Sequence, residues 1–239
     1  MPIRAVLFDM FDTLMLIEKK HAFYSPALKS LHKVLLKNGI KVPYAKFRKS
    51  YIEARDALYV EADANLEEPP FNLRVSNALQ NLGYDIDPFG EVISAATLAF
   101  CEEFMNYITI DPYTTTTLRK LHGRYKLGLV SNFAIPECVC KLLEKHNLAK
   151  FFDAIIVSAA VNKRKPSPEI FNEALKKLGV KASETVFVGD TMDADIKGAK
   201  DIGMKAILIE RRTQEKLENV CPDQKIMTLN ELLKAIELL

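Results

Sequence analysis

Acidic and small polar side chains follow three of the apolar runs in this chain. Asp9 comes directly after the first run, Ser131 and Asn132 follow the second, and Asp190 follows a later one. Apolar runs of this length are typical of strands buried on both faces of a sheet. Because the carboxyl ends of parallel strands meet at one edge of an open sheet, we expect these four side chains to lie close together.

Two further charged residues belong to the same candidate site. Lys165 lies in a basic loop before a Ser-Pro helix start, and Asp195 follows Asp190 by five positions. Two or three carboxylates can hold one hard divalent cation, and Mg²⁺ shared with a substrate phosphate is the expected ligand. Ser131 and Asn132 can donate to phosphoryl oxygens, and Lys165 can neutralise the charge that spreads over a transferring phosphoryl group.

Asp9 has two interpretations at this stage. It is either a cap for the segment that follows the strand or a reactive group. An aspartate is ionised near neutral pH because its ordinary pKa is about 4. It can therefore attack phosphorus without an activating base and form an acyl-phosphate.

The elements that must position these residues alternate between strand and helix patterns outside one long helical stretch. This alternation predicts an α/β fold, a doubly wound parallel sheet with right-handed crossovers. The strands are expected at about residues 5–8, 125–132, 153–158, 185–190 and 205–209, with a short sixth at 225–227. The helices of this part are expected at about residues 115–122, 136–146, 168–179 and 194–202, with a last one after a Thr228/Glu231 capping box.

Residues 16–105 show helical patterns and no convincing strand. Helices are expected from a Ser25-Pro26 start to about Lys37 and at about residues 43–62, 71–82 and 88–104. The simplest architecture is an α/β core domain of residues 1–15 and 106–239 with a helical domain of residues 16–105 inserted after the first strand. We expect the two hinges near Leu16 and Ile108.

Composition excludes several classes of protein. The chain has 239 residues, of which 49% are apolar, and this is enough to bury a substantial core. The net charge is +2 and the basic residues are dispersed, so no nucleic-acid partner is expected. No apolar stretch is long enough for a membrane span, and no signal-peptide pattern is present, so no membrane partner is expected. Four cysteines without metal-ligand spacing are typical of a reduced, cytoplasmic protein, which we expect to be a monomer or homodimer.

Four motifs, in order, resemble those of the haloacid dehalogenase-like (HAD) hydrolase superfamily. They are the segments 9–14, 130–132 and 165–171, and Gly189-Asp190 with Asp195. The order and approximate spacing match over nearly the whole chain, and the helical insert resembles the family's cap between its first and second motifs. The resemblance implies a Rossmann-like core with an α-helical cap domain.

The resemblance also implies a metal site with one Mg²⁺. Asp9 would be both the nucleophile and a metal ligand, and Phe11 would ligate the metal through its backbone carbonyl. Asp190 would be the principal second acid on the metal. Asp195 would support the site directly or through Lys165.

The phosphoryl group would be held by three of the motif residues. By resemblance these are Ser131, Asn132 and Lys165, of which Lys165 also counts as catalytic. Thr13 matches a threonine of the family that helps to orient the first motif's loop and is included with the catalytic residues.

One position departs from the pattern of the family's phosphatases. Those enzymes have an aspartate two residues after the nucleophile, which protonates the leaving oxygen, and here that residue is Phe11. Asp12 stands where the family usually has glycine, which suggests a surface or capping acid. The 2-haloacid dehalogenase branch, which uses no metal, resembles this chain in having an aromatic residue there, an aspartate nucleophile and an early arginine in the cap that Arg48 matches. That branch, however, lacks the acid that this chain has at Asp190.

Several other side chains have structural interpretations beside functional ones. Arg48 and Arg55 lie seven residues apart on one helix, so they share a face that either is solvated or faces the site. Tyr44, Tyr51 and Tyr59 are expected to pack in a core, and Arg211-Arg212 is expected to be surface charge.

Three functions remain open from the sequence. The first is a Mg²⁺-dependent phosphatase that acts on a small phosphorylated metabolite through an aspartyl-phosphate. The second is a 2-haloacid dehalogenase-type hydrolase without metal. The third is a binding protein on the same scaffold with weakened catalysis. The sequence does not identify the substrate.

Overall fold

A parallel β-sheet forms the centre of the molecule. The computed structural model describes residues 2–18, 22–211 and 219–239. The strands are, in chain order, β1 (Ala5–Phe8), β2 (Met15–Ile17), β3 (Ile108–Ile110), β4 (Lys126–Ser131), β5 (Ala154–Val157), β6 (Thr185–Gly189), β7 (Lys205–Ile209) and β8 (Gln224–Ile226). The helices are α1 (Tyr24–Lys37), α2 (Tyr44–Ala64), α3 (Phe71–Gln80), α4 (Glu91–Phe104), α5 (Thr114–Leu121), α6 (Pro136–Lys145), α7 (Ser158–Val161), α8 (Pro168–Leu178), α9 (Gly198–Asp201) and α10 (Leu232–Glu237).

The strand order confirms the doubly wound α/β fold. Six strands pair in the order β5-β4-β1-β6-β7-β8, and all neighbours are parallel. The chain builds the sheet outward from β1 in both directions, so β4 and β6 flank β1. The carboxyl end of β1 therefore lies at the topological switch point, where such sheets bind their ligands.

Both faces of the sheet are covered, which explains the uniformly apolar strands. Along β1, Val6 and Phe8 belong to one buried cluster and Ala5 and Leu7 to a second cluster on the other face. This alternation follows from the two-residue period of a strand.

The insert forms four helices that pack in pairs. α1 lies against α4, and α2 lies against α3. The chain enters and leaves this block through β2 and β3, which form an antiparallel ribbon with Met15 opposite Ile110 and Ile17 opposite Ile108. The expectation of no strand between residues 16 and 105 was therefore wrong at its first residues. The two connections run side by side, and pairing satisfies their backbone hydrogen-bonding groups.

Two helix starts also differ from the sequence prediction. α1 begins at Tyr24 with Phe23 as the preceding residue, so Ser25 lies inside the first turn and does not cap the helix. Pro26 is tolerated there because the first helical N–H groups have no intrahelical partner. α4 begins at Glu91, because Asp87 accepts a hydrogen bond from the backbone N–H of Phe89 in a turn.

The other helices that were predicted agree closely with their expected positions, apart from the one near residue 194 that is described with the site. The short helix α7 was not predicted, and residue 158 had been expected to end a strand. Thr228 and Glu231 form the expected capping box, with Thr228 N donating to Glu231 Oε1 at 2.9 Å. Among the residues that the structure describes, no helix is long and apolar enough to cross a membrane.

Candidate active site

The carboxyl ends of β1 and β6 bring three aspartates together. Asp9 follows β1, and its backbone N–H donates to Val188 O on β6 at 2.9 Å. Asp190 follows β6, and Asp195 comes from the turn after it. Each of the three offers a carboxylate oxygen within 4.8 Å of the others, and all three side chains are buried. The sequence prediction that these residues converge is thus met by the geometry.

Lys165 reaches the same point from the loop before α8. Its ammonium lies 2.6 Å from Asp9 Oδ1 and 2.8 Å from Asp195 Oδ1. Asn132 holds the backbone of this loop, because it donates to Lys165 O at 2.9 Å and accepts from Lys165 N at 2.8 Å. Burial alone would lower the pKa of Lys165, but Asp195 and Asp9 outweigh it and raise that pKa above its usual value. Lys165 therefore remains a buried cation at neutral pH.

Asp195 accepts several hydrogen bonds from neighbouring residues. Its Oδ2 accepts hydrogen bonds from Asp190 N at 3.1 Å, Thr191 N at 3.0 Å and Thr191 Oγ1 at 2.7 Å. Of the two roles expected for Asp195, these contacts favour support through Lys165 and the backbone. Gly189 makes this packing possible, since a methyl group there would lie 2.4 Å from Asp195 Oδ2.

The turn that presents Asp195 is not the α-helix predicted for residues 194–202. A π-helical turn spans Met192–Lys197, and α9 then covers only Gly198–Asp201. Such wide turns often occur at functional sites, because the extra residue redirects a side chain.

The charge balance of the site fits a divalent cation. Burial is the main cause that raises the pKa of Asp9; Lys165 opposes the rise and Asp195 adds to it, and the resulting pKa is about 6. Three buried carboxylates thus face one buried ammonium. Uncompensated carboxylates at this distance repel one another, and a hard cation with oxygen ligands relieves the repulsion.

Two buried hydroxyls belong to the segments that follow β1 and end β4. Thr13 and Ser131 are fully buried, and neither hydroxyl has a hydrogen-bond partner within the described ranges 2–18, 22–211 and 219–239. Buried polar groups normally have partners, so each needs a separate explanation. At the end of β4, the Ser131 hydroxyl suits donation to a phosphoryl oxygen.

Phe11 and Asp12 both line the cavity that contains Asp9, but their side chains make different contacts. Phe11 lines the cavity of about 300 Å³ that contains Asp9, and its ring centroid lies 5.0 Å from that of Phe133 and 5.7 Å from that of Phe104. Asp12 has φ of 58°, a conformation that favours glycine. Its Oδ1 accepts a hydrogen bond from Ile17 N at 3.2 Å. Asp12 thus braces the turn into β2, as expected for a capping acid.

Arg48 does not belong to the site, contrary to the sequence prediction. It is exposed on α2 and lines neither of the two cavities near Asn132. Helix α2 buries Phe47 and Tyr51, and the adjacent face that bears Arg48 points to solvent. Arg55, on the same helix, donates to the hydroxyl of Tyr24 at 3.4 Å.

Arg211 was expected to be surface charge, and this was wrong. Its guanidinium donates to Asp12 O and Thr13 O at 3.2 Å each and lies 2.6 Å from Asp111 Oδ2. These contacts join residues that are 100 to 199 positions apart, so no local pattern indicated them. Arg212 lies outside the described residues.

A second cavity, absent from the sequence prediction, adjoins the first. We call it the distal cavity; it measures about 220 Å³. Helices of the insert and the loop after β4 line it, with the side chains of Phe23, Tyr24, Tyr59, Glu68, Phe71, Arg74, Phe100, Asn132, Phe133, Ala134 and Ile135. Asn132 lines both cavities. Tyr51 is buried as predicted, but Tyr59 faces this cavity.

Comparison with known families agrees with the resemblance found in the motifs. A family model described as haloacid dehalogenase-like hydrolase matches residues 3–203. This range contains β1, the whole helical insert and the strands that bear Asn132 and Asp190. The match therefore covers all the residues brought together at the candidate site and confirms the family expected from the sequence.

Individual relatives cover the chain almost completely. A protein of Methanopyrus kandleri named glyceraldehyde 3-phosphate phosphatase is 29% identical over 241 residues, with 98% of this chain and 97% of the relative covered. A 2-haloacid dehalogenase structure from Pseudomonas syringae pv. Tomato DC3000 has a TM-score of 0.78 at 27% identity, with 99% of both chains covered. A HAD phosphatase structure from Thermococcus onnurineus has a TM-score of 0.61 at 26% identity, with 97% of both chains covered.

Proposed function

The chain belongs to the haloacid dehalogenase-like hydrolases, and from that premise we propose that it is a Mg²⁺-dependent phosphatase of a small phosphorylated metabolite. The observation that carries the proposal is the cluster of Asp9, Asp190 and Asp195 around the single ammonium of Lys165. Such a set of oxygen ligands suits Mg²⁺ together with a phosphate. Asp190 in particular argues for a metal, because a carboxylate there would repel Asp9 without one.

The proposed reaction has two steps. A carboxylate oxygen of Asp9 attacks phosphorus, the bond from phosphorus to the leaving oxygen breaks, and an aspartyl-phosphate forms. Water then attacks that phosphorus and releases inorganic phosphate, which regenerates the Asp9 carboxylate. Ser131, Asn132 and Lys165 hold the phosphoryl oxygens, and Lys165 neutralises part of their charge.

The metal would be held by Asp9, Asp190 and the backbone carbonyl of Phe11. Bound there, Mg²⁺ would supply charge neutralisation and orientation to the phosphoryl group. Thr13 would orient the loop that presents Asp9, and Asp195 would hold Lys165 in place.

The helical insert is proposed to be a cap domain. In this proposal residues 16–105 close over a core of residues 1–15 and 106–239, with the ribbon of β2 and β3 as the hinge. Closure would exclude water from Asp9 before transfer and bring cap side chains to the leaving group.

The class of substrate, the cellular compartment and the oligomeric state are also part of the proposal. Relatives from Methanopyrus kandleri and Pyrococcus furiosus are named glyceraldehyde 3-phosphate phosphatase. Triose phosphates are therefore the first physiological compounds to test. Four free cysteines, two of them exposed, are typical of a reducing compartment, and we propose a cytoplasmic monomer or homodimer.

Phosphate release from p-nitrophenyl phosphate with and without Mg²⁺ tests the proposal. Asp9→Asn should abolish release, and Asp190→Asn should lose Mg²⁺ binding in calorimetry. Asp193→Asn is the matched control, because Asp193 is exposed in the same turn and should bind Mg²⁺ normally. Absence of Mg²⁺ binding by the wild type, with activity that survives a chelator, would contradict the proposal.

A metal-free 2-haloacid dehalogenase is the second candidate. The observation in its favour is the aromatic side chain of Phe11 beside Asp9, where the family's phosphatases have an acid. Chloride release from 2-chloropropionate in the presence of a chelator tests it. The third possibility, a scaffold with weakened catalysis, has less support because Asp9, Lys165 and Asp190 are all present.

A further inference from the structure

The distal cavity lies where the leaving group of a bound phosphate ester would extend. Its floor is the loop after β4, and Asn132 of that loop also lines the cavity with Asp9. A phosphoryl group at Asp9 would therefore place the remainder of its ester beside Asn132, at the entrance of the distal cavity. The inference below rests on the proposed phosphatase function.

Aromatic rings form most of the wall. Phe71 and Phe100 pack with their ring centroids 4.7 Å apart, and Phe23 and Phe133 contribute further apolar surface. Such walls favour a carbon segment with little charge, because they offer it no hydrogen bonds.

The polar part of the cavity is a buried pair of opposite charges. The guanidinium of Arg74 lies 3.2 Å from Glu68 Oε1, and Tyr59 contacts both residues with its hydroxyl. The hydroxyl of Ser158, from the core, donates to Glu68 Oε2 at 3.4 Å. Glu68 is therefore fully engaged with its protein neighbours and holds Arg74 in place.

Arg74 has one donor left over. The residue is only 9% exposed, and its Nε has no hydrogen-bond partner in the part of the chain that the structure describes. The guanidinium lies over the rings of Tyr59 and Phe71, 4.8 and 5.4 Å from their centroids. Buried arginine donors are normally satisfied. Nε is enclosed by the protein, so a ligand would meet Arg74 at the side of its guanidinium that lines the cavity.

The acceptor should be uncharged, because the cavity has no net charge. Glu68 and Arg74 are the charged residues among its lining side chains, and they neutralise each other. Nearby arginines are also paired, Arg164 with Asp63 and Arg55 with Asp56. An added carboxylate or phosphate would lose its hydration without gaining an unpaired cation.

We propose that the distal cavity selects phosphate esters whose leaving group is uncharged and bears a carbonyl or hydroxyl oxygen, which accepts a hydrogen bond from Arg74. Esters with a carboxylate or a second phosphate at that end are rejected. Arg74 and Glu68 thus determine specificity and take no part in phosphoryl transfer.

A matched pair of substrates tests the rule on the wild-type protein. Glyceraldehyde 3-phosphate and 3-phosphoglycerate have the same carbon chain. The first ends in an aldehyde where the second ends in a carboxylate. We expect kcat/KM to favour the aldehyde by at least about tenfold, since desolvating an unpaired charge is costly. Equal values, or a preference for the carboxylate, would overturn the proposal.

Two variants test whether the charged pair of the distal cavity causes this selectivity. Glu68→Gln leaves Arg74 unneutralised and should shift the kcat/KM ratio toward 3-phosphoglycerate, and Arg74→Gln should shift it the opposite way. For each variant, both kcat/KM values are measured on the same preparation, so any change in the folded fraction cancels from their ratio. Glu67→Gln is the control, because Glu67 pairs with Lys163 outside the cavity and should keep the wild-type ratio. Ratios unchanged in both cavity variants would refute the assignment.

The failure of the two proposals can be told apart. Hydrolysis of p-nitrophenyl phosphate without discrimination between the paired substrates refutes the selectivity and leaves the phosphatase function standing. If no ester is hydrolysed, the affinities of the wild type for glyceraldehyde 3-phosphate and 3-phosphoglycerate, measured by calorimetry, still decide the selectivity, since binding needs no chemistry.

Discussion

In the proposed mechanism, the residue at position 11 decides whether a leaving group receives a proton as it departs. Attack by Asp9 on phosphorus needs no proton, but the departure of an alkoxide does. Phe11 has no proton to give, and the carboxylate of Asp12 accepts a hydrogen bond from Ile17 N at the turn into β2. We therefore expect good leaving groups, such as p-nitrophenolate and acyl groups, to be favoured over sugar alkoxides.

Phe11→Asp should restore an acid at this position. A positioned acid typically contributes about 10²–10⁴-fold, and we expect at least about tenfold in kcat/KM on alkyl phosphates. Activity on p-nitrophenyl phosphate should change little, because its leaving group needs no proton. Steady-state kinetics on both classes of ester measures the effect.

Asp12→Asn is the matching control for that experiment. The amide oxygen of asparagine can still accept from Ile17 N, so both activities should stay near those of the wild type. A selective loss of alkyl phosphate hydrolysis in Asp12→Asn would mean that Asp12 protonates the leaving group. The protein would then have a general acid despite Phe11.

At the scale of elements, the turn after β1 depends on segments far away in the chain. Arg211, which follows β7, donates to two carbonyls of this turn, and it also pairs with the buried Asp111 after β3. Thr114, at the start of α5, donates to Leu14 O at 2.7 Å. The turn that presents Asp9 is therefore held by the end of β7 and by the segment that follows the insert.

Arg211→Met should damage both stability and catalysis. The substitution leaves Asp111 buried without its cation, and we expect the free energy of unfolding to fall by about 2–3 kcal/mol. kcat should fall while Mg²⁺ binding persists, because Arg211 contacts the turn and not the carboxylate cluster. Thermal unfolding, calorimetry and kinetics measure the three effects.

Lys205→Met is a suitable comparison for that variant. Lys205 pairs with Asp223 at the surface, and such pairs contribute about 0–1 kcal/mol. If Arg211→Met were no more harmful than Lys205→Met, the proposed support of the turn by Arg211 would be wrong.

For the whole molecule, the insert contacts the core at a second place besides the ribbon of β2 and β3. The loop between α2 and α3 lies against the loop that bears Lys165. Arg164 N donates to Leu66 O at 2.8 Å, and Lys163 Nζ donates to Asn65 O at 3.0 Å. Phe71 N donates to Ala134 O of the loop after β4 at 3.1 Å. Phe71 and Ala134 also line the distal cavity, and under the proposed cap role these contacts would stabilise the closed arrangement.

Lys163→Ala should weaken closure without unfolding the protein. We expect KM to rise several-fold and the melting temperature to change little, because a partly exposed ion pair contributes about 0–1 kcal/mol to stability. Lys49→Ala is the control, since Lys49 pairs with Glu53 on the exposed face of α2, away from the core. Equal KM values in the two variants would count against a closing role for this contact.

The sequence by itself was sufficient for the fold and for the members of the central cluster. Apolar runs with a two-residue or helical period are local properties, and they identified the strands of the parallel sheet and the helical insert. Asp9 and Asp190 could be selected because a strand's carboxyl end is recognisable in the sequence, and such ends converge in a parallel sheet. Lys165 was selected from the basic loop before a Ser-Pro helix start. The capping box of Thr228 and Glu231 was equally local.

Only the tertiary structure decided which cap and loop side chains face the site. Helical spacing showed that Arg48 and Arg55 share a face of α2, but packing of the adjacent face leaves Arg48 in solvent. Arg74 and Glu68 line one cavity with Asn132, and Arg211 contacts Thr13, across long stretches of chain. The physical reason is that periodicity specifies the direction of a side chain relative to its own element, whereas its neighbours depend on how separate elements pack.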